Sequence, residues 1–281
     1  MDLTKPYRGD SAGRPAGLAL PPRRMPLLRA GRMLKRWRYV GVYGPELMLC
    51  VGCARIGPAP QVWWAIWDRR REDLHERTRQ AIGRGRVRLP EGEVLVHDGF
   101  IEIELVLDEE PGLEVLTPAG EAYIWTRKQG GIPVCGRVRL PDREVAIDAR
   151  AFIDDSAGYH DRHTAWRWSA GLGTATDGRA LAWNLVDGIH DSPRDSERTV
   201  WVDGAPAEVG PVQFATDLSA VAFAEGGALR CAAEATRARE DNLLLFRSSY
   251  EQPFGSFGGE LPGGITLAEG YGVMERHDVV W

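Results

Sequence analysis

What most limits the fold is a rhythm. Between Arg36 and Arg276, short runs rich in Val, Ile, Trp and Tyr recur about every ten residues, with turn residues between them. Residues 36–43 end at Gly44-Pro45 and residues 46–56 at Gly57-Pro58, while Asp177-Gly178, Asp187-Gly188, Asp203-Gly204 and Gly226-Gly227 divide the second half. Residues 100–107 alternate apolar and polar side chains, the period of a strand with one wet face. No long amphipathic helical pattern occurs. These features predict an all-β chain of antiparallel sandwich or barrel type. Residues 72–82 fit either a short helix or a polar strand.

A second regularity sits on top of the first. Trp37-Arg-Tyr-Val-Gly-Val-Tyr-Gly44 resembles Trp166-Arg-Trp-Ser-Ala-Gly-Leu-Gly173. Each is followed by an apolar run (47–54, 180–186) and then by a Trp/Val run ending in Asp (62–68, 199–203). Three elements in the same order predict a duplicated β-domain joined near 130–145. The division expected is an irregular basic arm over residues 1–33, an N-terminal β-domain over 34–138 and a C-terminal one over 139–281.

At 281 residues the chain is long enough for two ordinary domains. Net charge is −5, yet residues 1–38 hold ten Lys/Arg against Asp2 and Asp10, so the body is acidic. That balance, without a nucleic-acid motif, argues against a nucleic-acid partner. The basic arm can meet an anionic membrane surface. No apolar run approaches the ~20 residues of a membrane span, and Pro6, Arg8, Asp10 and Pro15 interrupt any signal-peptide core, so a cytoplasmic protein is expected. Oligomeric state is not encoded in any pattern found.

Four cysteines do not make a disulfide scaffold in a chain this long. Cys50 and Cys53 resemble a metal-binding pair, but residues three apart in a strand point to opposite faces, so they are read as core residues. Trp63 and Trp67 should share one face and Trp64 the other. The Gly-rich segment 254–264 matches no phosphate loop or nucleophile elbow and reads as a hairpin connection.

Two places carry chemistry. The first is Ser156-Ala-Gly-Tyr-His-Asp-Arg-His-Thr-Ala-Trp-Arg-Trp168, where titratable groups gather at the mouth of an aromatic strand. Acid–base work needs one group near its operating pKa and a partner to orient it, roles open to His160, Asp161 and His163, with Asp155 or Asp187 as further orienting groups. Zinc held by the two histidines with Asp154 or Asp155 is conceivable, but the spacing is generic and no metal is expected. The second place is Gly270-Tyr-Gly-Val-Met-Glu-Arg-His277. Glu275 and His277 lie two apart, hence on one strand face, and a carboxyl held among aromatics would have a raised pKa.

Leu20-Pro-Pro-Arg-Arg-Met-Pro26, Lys35-Arg-Trp-Arg-Tyr-Val-Gly-Val-Tyr43, the 155–168 segment and Glu269-Gly-Tyr-Gly-Val-Met-Glu-Arg-His-Asp278 resemble a bacterial family known as a domain of unknown function (DUF2804) over nearly the whole chain. More distantly, Gly158-Tyr-His-Asp before a Trp-bearing strand, and the closing Gly-x-Gly-x-Met-Glu, are similar to carotenoid 1,2-hydratase and its tocopherol-cyclase-like and Diels–Alderase relatives. This chain departs from the hydratase pattern after Asp161, where Arg-His-Thr-Ala precedes Trp166. The resemblance implies two tandem lipocalin-like antiparallel β-domains and chemistry on isoprenoid or polyketide molecules without metal or redox cofactor.

The expectation is therefore a cofactor-independent hydratase, cyclase or isomerase acting on a hydrophobic small molecule. Its proton donor would be His160 or Glu275, oriented by Asp161 or His163. Tyr159, Trp166, Trp168, Asp187 and His277 are the expected substrate contacts. The alternative is a non-catalytic carrier of a hydrophobic ligand.

Overall fold

The computed structural model describes residues 3–80, 86–243 and 246–281. Its N-terminal arm carries β1 (Tyr7–Gly9) and the hairpin β2 (Leu28–Arg29) and β3 (Arg32–Met33). The first large sheet adds β4 (Lys35–Tyr43), β5 (Leu47–Ile56), β6 (Ala59–Asp68), β7 (Asp73–Gln80), β8 (Val87–Arg88), β9 (Glu93–Asp98), β10 (Ile101–Leu107), β11 (Leu113–Ala119), β12 (Ala122–Arg139) and β13 (Glu144–Gly158). The second contains β14 (His163–Ala175), β15 (Ala180–Asp187), β16 (Thr199–Val202), β17 (Ala205–Glu208), β18 (Val212–Phe214), β19 (Ala220–Phe223), β20 (Ala228–Leu243), β21 (Phe246–Leu261) and β22 (Ile265–Val280). Among the described residues there is no helix long and apolar enough to cross a membrane.

The two sheets trace one path twice. The first runs β7-β6-β5-β4-β13-β12-β10-β9-β8, with β11 and β1 added beside β12, and the second runs β17-β16-β15-β14-β22-β21-β20-β19-β18. In each, the opening strand (β4 or β14) pairs with the closing one (β13 or β22). The duplicated Trp-Arg motif lies on the two opening strands. The result is two curled, lipocalin-like antiparallel half-barrels. The change of sheet falls between Gly158 and His163, later than the break expected at 138/139. Residues 140–143 form a turn, not a linker, because β12 and β13 stay paired from Arg139↔Glu144 to Ile124↔Gly158.

Two further expectations are corrected, and the open choice at residues 72–82 resolves to the strand. The arm is not wholly irregular: β1 pairs with β11, and Leu18, Leu20, Met25 and Leu34 pack on Tyr123, Trp125 and Tyr159. An arm that covers so aromatic a surface is held by burial as well as by pairing. Residues 73–80 form a polar edge strand. The glycines of 254–261 lie inside β21, and at Gly255 and Gly259 the neighbouring strand approaches too closely for a side chain: a Cβ on Gly255 would lie 2.4 Å from the Ala232 carbonyl oxygen. The sequence rhythm also places a short run at 242–246, and residues 244 and 245 of it lie outside the described residues, as do residues 81 and 82.

Strand alternation sorts the core into layers. One face of the first sheet buries Val51, Trp64, Ile103 and Ile153 within its own curl, and the second sheet does the same with Leu181, Trp183, Leu229 and Met274. The opposite faces meet, packing Tyr39, Met48, Cys50, Trp67 and Phe152 against Trp168, Leu172, Trp201 and Phe254. Cys50 and Cys53 fall on opposite faces, Cys50 between the sheets and Cys53 against the first sheet's core. Trp63 and Trp67 likewise face the second sheet while Trp64 turns away.

Candidate active site

Beyond the packed zone the two inner faces part and leave a cavity of about 540 Å³. Its walls are aromatic, with Trp37, Trp63, Trp166, Trp168, Tyr250 and Trp281 contributed by both halves. Trp63 reaches the wall by lying flat across its ladder partner Gly52, where any Cβ would come within 2.0 Å of the indole. Trp37 and Trp166 stack in parallel, centroids 6.5 Å apart and planes 6° apart.

Glu275 lies in this wall, 8% exposed. Its carboxylate accepts three hydrogen bonds: from Trp166 Nε1 (2.8 Å), Gln252 Nε2 (2.9 Å) and Tyr250 OH (3.1 Å). Arg237 is one bond further out, donating to Gln252 Oε1 at 3.1 Å and pairing with Glu76 at 3.0 Å. Burial dominates over the Trp166 and Tyr250 donors and the Arg237 charge and lifts the Glu275 pKa to about 7. A carboxyl poised there can give a proton at neutral pH and take one back.

The duplication supplies a counterpart. Asp154 pairs with Tyr39, two residues after Trp37, just as Glu275 pairs with Trp168, two residues after Trp166. Trp37 Nε1 donates to Asp154 Oδ2 at 3.3 Å. The neighbouring strand differs: it offers Lys128 to Asp154 but Gln252 to Glu275. Lys128 is buried and also lies 3.3 Å from Glu197. The two carboxylates outweigh its desolvation and raise its pKa, so it stays charged. One half thus sets a buried cation against its acid, although burial raises the Asp154 pKa too, while the other sets the neutral Gln252 in that position.

His277, on the Glu275 face, also lines the cavity, with its Nε2 2.8 Å from Ser248 Oγ. Burial pushes its pKa down to about 4, so the ring is neutral. Trp166 and Trp168 take their expected places. The 159–163 loop does not assemble as expected. His160 is buried against Trp37, ring centroids 5.1 Å apart, outside the cavity lining. Burial holds its pKa well below the ordinary value, which removes it as a proton donor at neutral pH. Asp161 faces outward and pairs with Arg32 at 2.6 Å, while His163 pairs with Asp278 at 3.0 Å on the surface. Neither orients His160, because the crossing from β13 to β14 turns them to solvent. Tyr159 is buried under the arm with its hydroxyl on the Pro26 carbonyl (2.8 Å), and Asp187 sits 3.6 Å from Arg167 at the end of β15.

The zinc arrangement does not form: Asp154 is bound by Lys128, Asp155 by Arg38 and Arg127, and the two histidines diverge. Among the described residues, His97, Glu102 and Glu104 alone group within metal-ligand range, and Glu104 is already paired with Arg137.

A family model described as a domain of unknown function, DUF2804, matches residues 92–281. The chain belongs to that family. Two solved structures share the fold of this DUF2804 member. An AttH candidate from Nitrosomonas europaea is 13% identical, covering 94% of this chain and 98% of its own, with a TM-score of 0.54. Kievitone hydratase from Nectria haematococca is 8% identical, covering 88% of each chain, also with a TM-score of 0.54. The sequence matches no curated protein.

Sequence reasoning overlooked Lys128, Tyr250, Gln252 and Arg237 in this DUF2804 chain. Their one signal is polarity on the inward face of otherwise apolar strands, and the facing strand has to be known to see it.

Proposed function

We propose that this protein is an enzyme that protonates a carbon–carbon double bond of a hydrophobic, isoprenoid- or polyketide-like molecule, leading to hydration, cyclisation or isomerisation. The observation that carries the reading is Glu275, a buried carboxyl with its pKa near neutrality in the wall of an aromatic cavity. The fold shared with a hydratase supports it without defining the substrate.

In the step, the Glu275 O–H bond breaks and its proton forms a C–H bond with the π electrons of the alkene. Positive charge develops on the neighbouring carbon. The faces of Trp37, Trp166 and Trp168 attract that charge, and the apolar walls exclude bulk water. The cation is then resolved by capture of water, whose adduct sheds a proton, by loss of an adjacent proton, or by attack of a second double bond, which forms a C–C bond and moves the charge to a carbon that then loses a proton. In each case one proton returns to the Glu275 carboxylate, so the cycle closes without an electron donor or acceptor.

The test is isotopic. Wild type and Glu275→Gln are incubated in D2O with a panel of polyprenyl alcohols and polyenes, and products are read by mass spectrometry. Carbon-bound deuterium is expected with wild type and absent with the variant. Ligands retained unchanged by both proteins would contradict the reading and identify a carrier.

A further inference from the structure

The cavity has a second polar end, on the Trp37 side of the aromatic stack. Thr126 of β12 lines it, with His190 and Glu197 from the connection between β15 and β16. These residues are 1%, 5% and 2% exposed, yet Thr126 Oγ1 and His190 Nε2 have no hydrogen-bond partner among the described residues, while Glu197 Oε2 is held 3.3 Å from Lys128 Nζ. Behind them lie Ser156 Oγ, opposite Thr126 in the β12–β13 ladder, and both ring nitrogens of His160, whose centroid is 5.9 Å from that of His190. Folded proteins leave few such groups unpaired. Five buried polar atoms lack a partner here, and two of them, Thr126 Oγ1 and His190 Nε2, belong to residues that line the cavity and can serve a ligand.

The chemistry of the wall selects that partner. Burial keeps both imidazoles neutral, so each has one donor and one acceptor nitrogen. His190 commits Nδ1 to Thr117 Oγ1 at 2.9 Å and leaves Nε2 free to serve a ligand. An anion would meet Glu197 and Asp154, and a cation would meet Lys128. A neutral group that both donates and accepts meets neither penalty.

We infer that the Thr126–His190–Glu197 end is a subsite for a neutral hydroxyl group of the ligand, whose apolar remainder lies along the Trp37–Trp166 stack toward Glu275. It rests on the reading of the cavity as a substrate site and adds that the substrate is polar at the end away from the reacting double bond.

Tryptophan-fluorescence titration with 4-hexylphenol and with hexylbenzene tests it, since the probes differ by one hydroxyl. Wild type is expected to bind the phenol about ten-fold more tightly or better. Thr126→Val and His190→Phe should each shrink that preference, while Thr126→Ser keeps it. Glu275→Gln should also keep it, which separates failure of the subsite from failure of the acid. Because the Thr126 hydroxyl has no hydrogen-bond partner among the described residues, Thr126→Val should leave Tm unchanged or raise it. Equal affinities in wild type, no binding of either probe, a preference that survives Thr126→Val, or a Tm lowered by that change would each overturn the inference.

Discussion

Trp37 and Trp166 lie face to face across the cavity, and each donates its indole N–H to an acid on the closing strand of its own sheet, Asp154 or Glu275. The pair is one device made twice. What separates the copies is the next strand inward, where Lys128 answers one acid and Gln252 the other.

Removing the donor should move the acid. Trp166→Phe keeps the stacked ring but takes from Glu275 a hydrogen bond that favours its charged form. The pKa then rises further, by roughly one unit. The alkaline limb of kcat/KM should shift up by the same amount. An unmoved limb would mean that Glu275 does not set the profile.

Glu275→Gln should abolish turnover while leaving ligand affinity in place, a loss of about 10²–10⁴ in kcat if the residue is the general acid. Stability should respond to pH. The folded pKa lies near 7, above the ordinary 4.5, so the wild-type contribution is present at low pH and lost as pH rises through 7. Relative to wild type, the variant should gain roughly 2–3 kcal/mol between pH 5 and pH 8. Urea melts at both pH values measure this.

Lys128→Met should be costly. It leaves Asp154 and Glu197 buried without their shared cation, a loss of about 3–5 kcal/mol in denaturant unfolding. Gln252→Met removes a donor from an acid that can hold its own proton, so the smaller cost of a lost hydrogen bond, about 1–3 kcal/mol, is expected there.

Acid should unfold the protein early. His160, His190 and His277 are buried and neutral, with the last two pushed from 6.5 down to about 3 and about 4. Below pH 6.5 the unfolded chain takes up three protons that the fold refuses, while Glu275 keeps one that the unfolded chain releases. The balance favours the unfolded chain, so stability falls as pH drops below 6.5, by about 1.4 kcal/mol per pH unit for each proton of net difference. A flat stability curve from pH 7 to pH 5 would contradict it.

Much of this architecture is legible along the chain because strands report locally. Period-two alternation places Glu275 with His277, and Trp63 with Trp67, before any pairing is known. The repeated Trp-Arg segment announces the duplication because it lies on the strand that opens each sheet. What stays hidden depends on partners. Lys128 and Asp154 are far apart in sequence and meet through ladder register. His160 and His163 are near neighbours in sequence, yet the crossing between sheets buries one and exposes the other. The point where the sheet changes depends on partners too, since β12 and β13 stay paired across residues 140–143 and the crossing comes only after Gly158.

The central claim is that Glu275 holds its proton up to neutrality inside the cavity. Carbon-13 NMR titration of protein labelled at glutamate Cδ, with Glu275→Gln to assign the resonance, measures this directly. The account predicts a single buried carboxyl titrating near pH 7 and missing from the variant. A Glu275 resonance titrating near 4.5 would contradict it, because an acid already ionised at neutral pH has no proton to give.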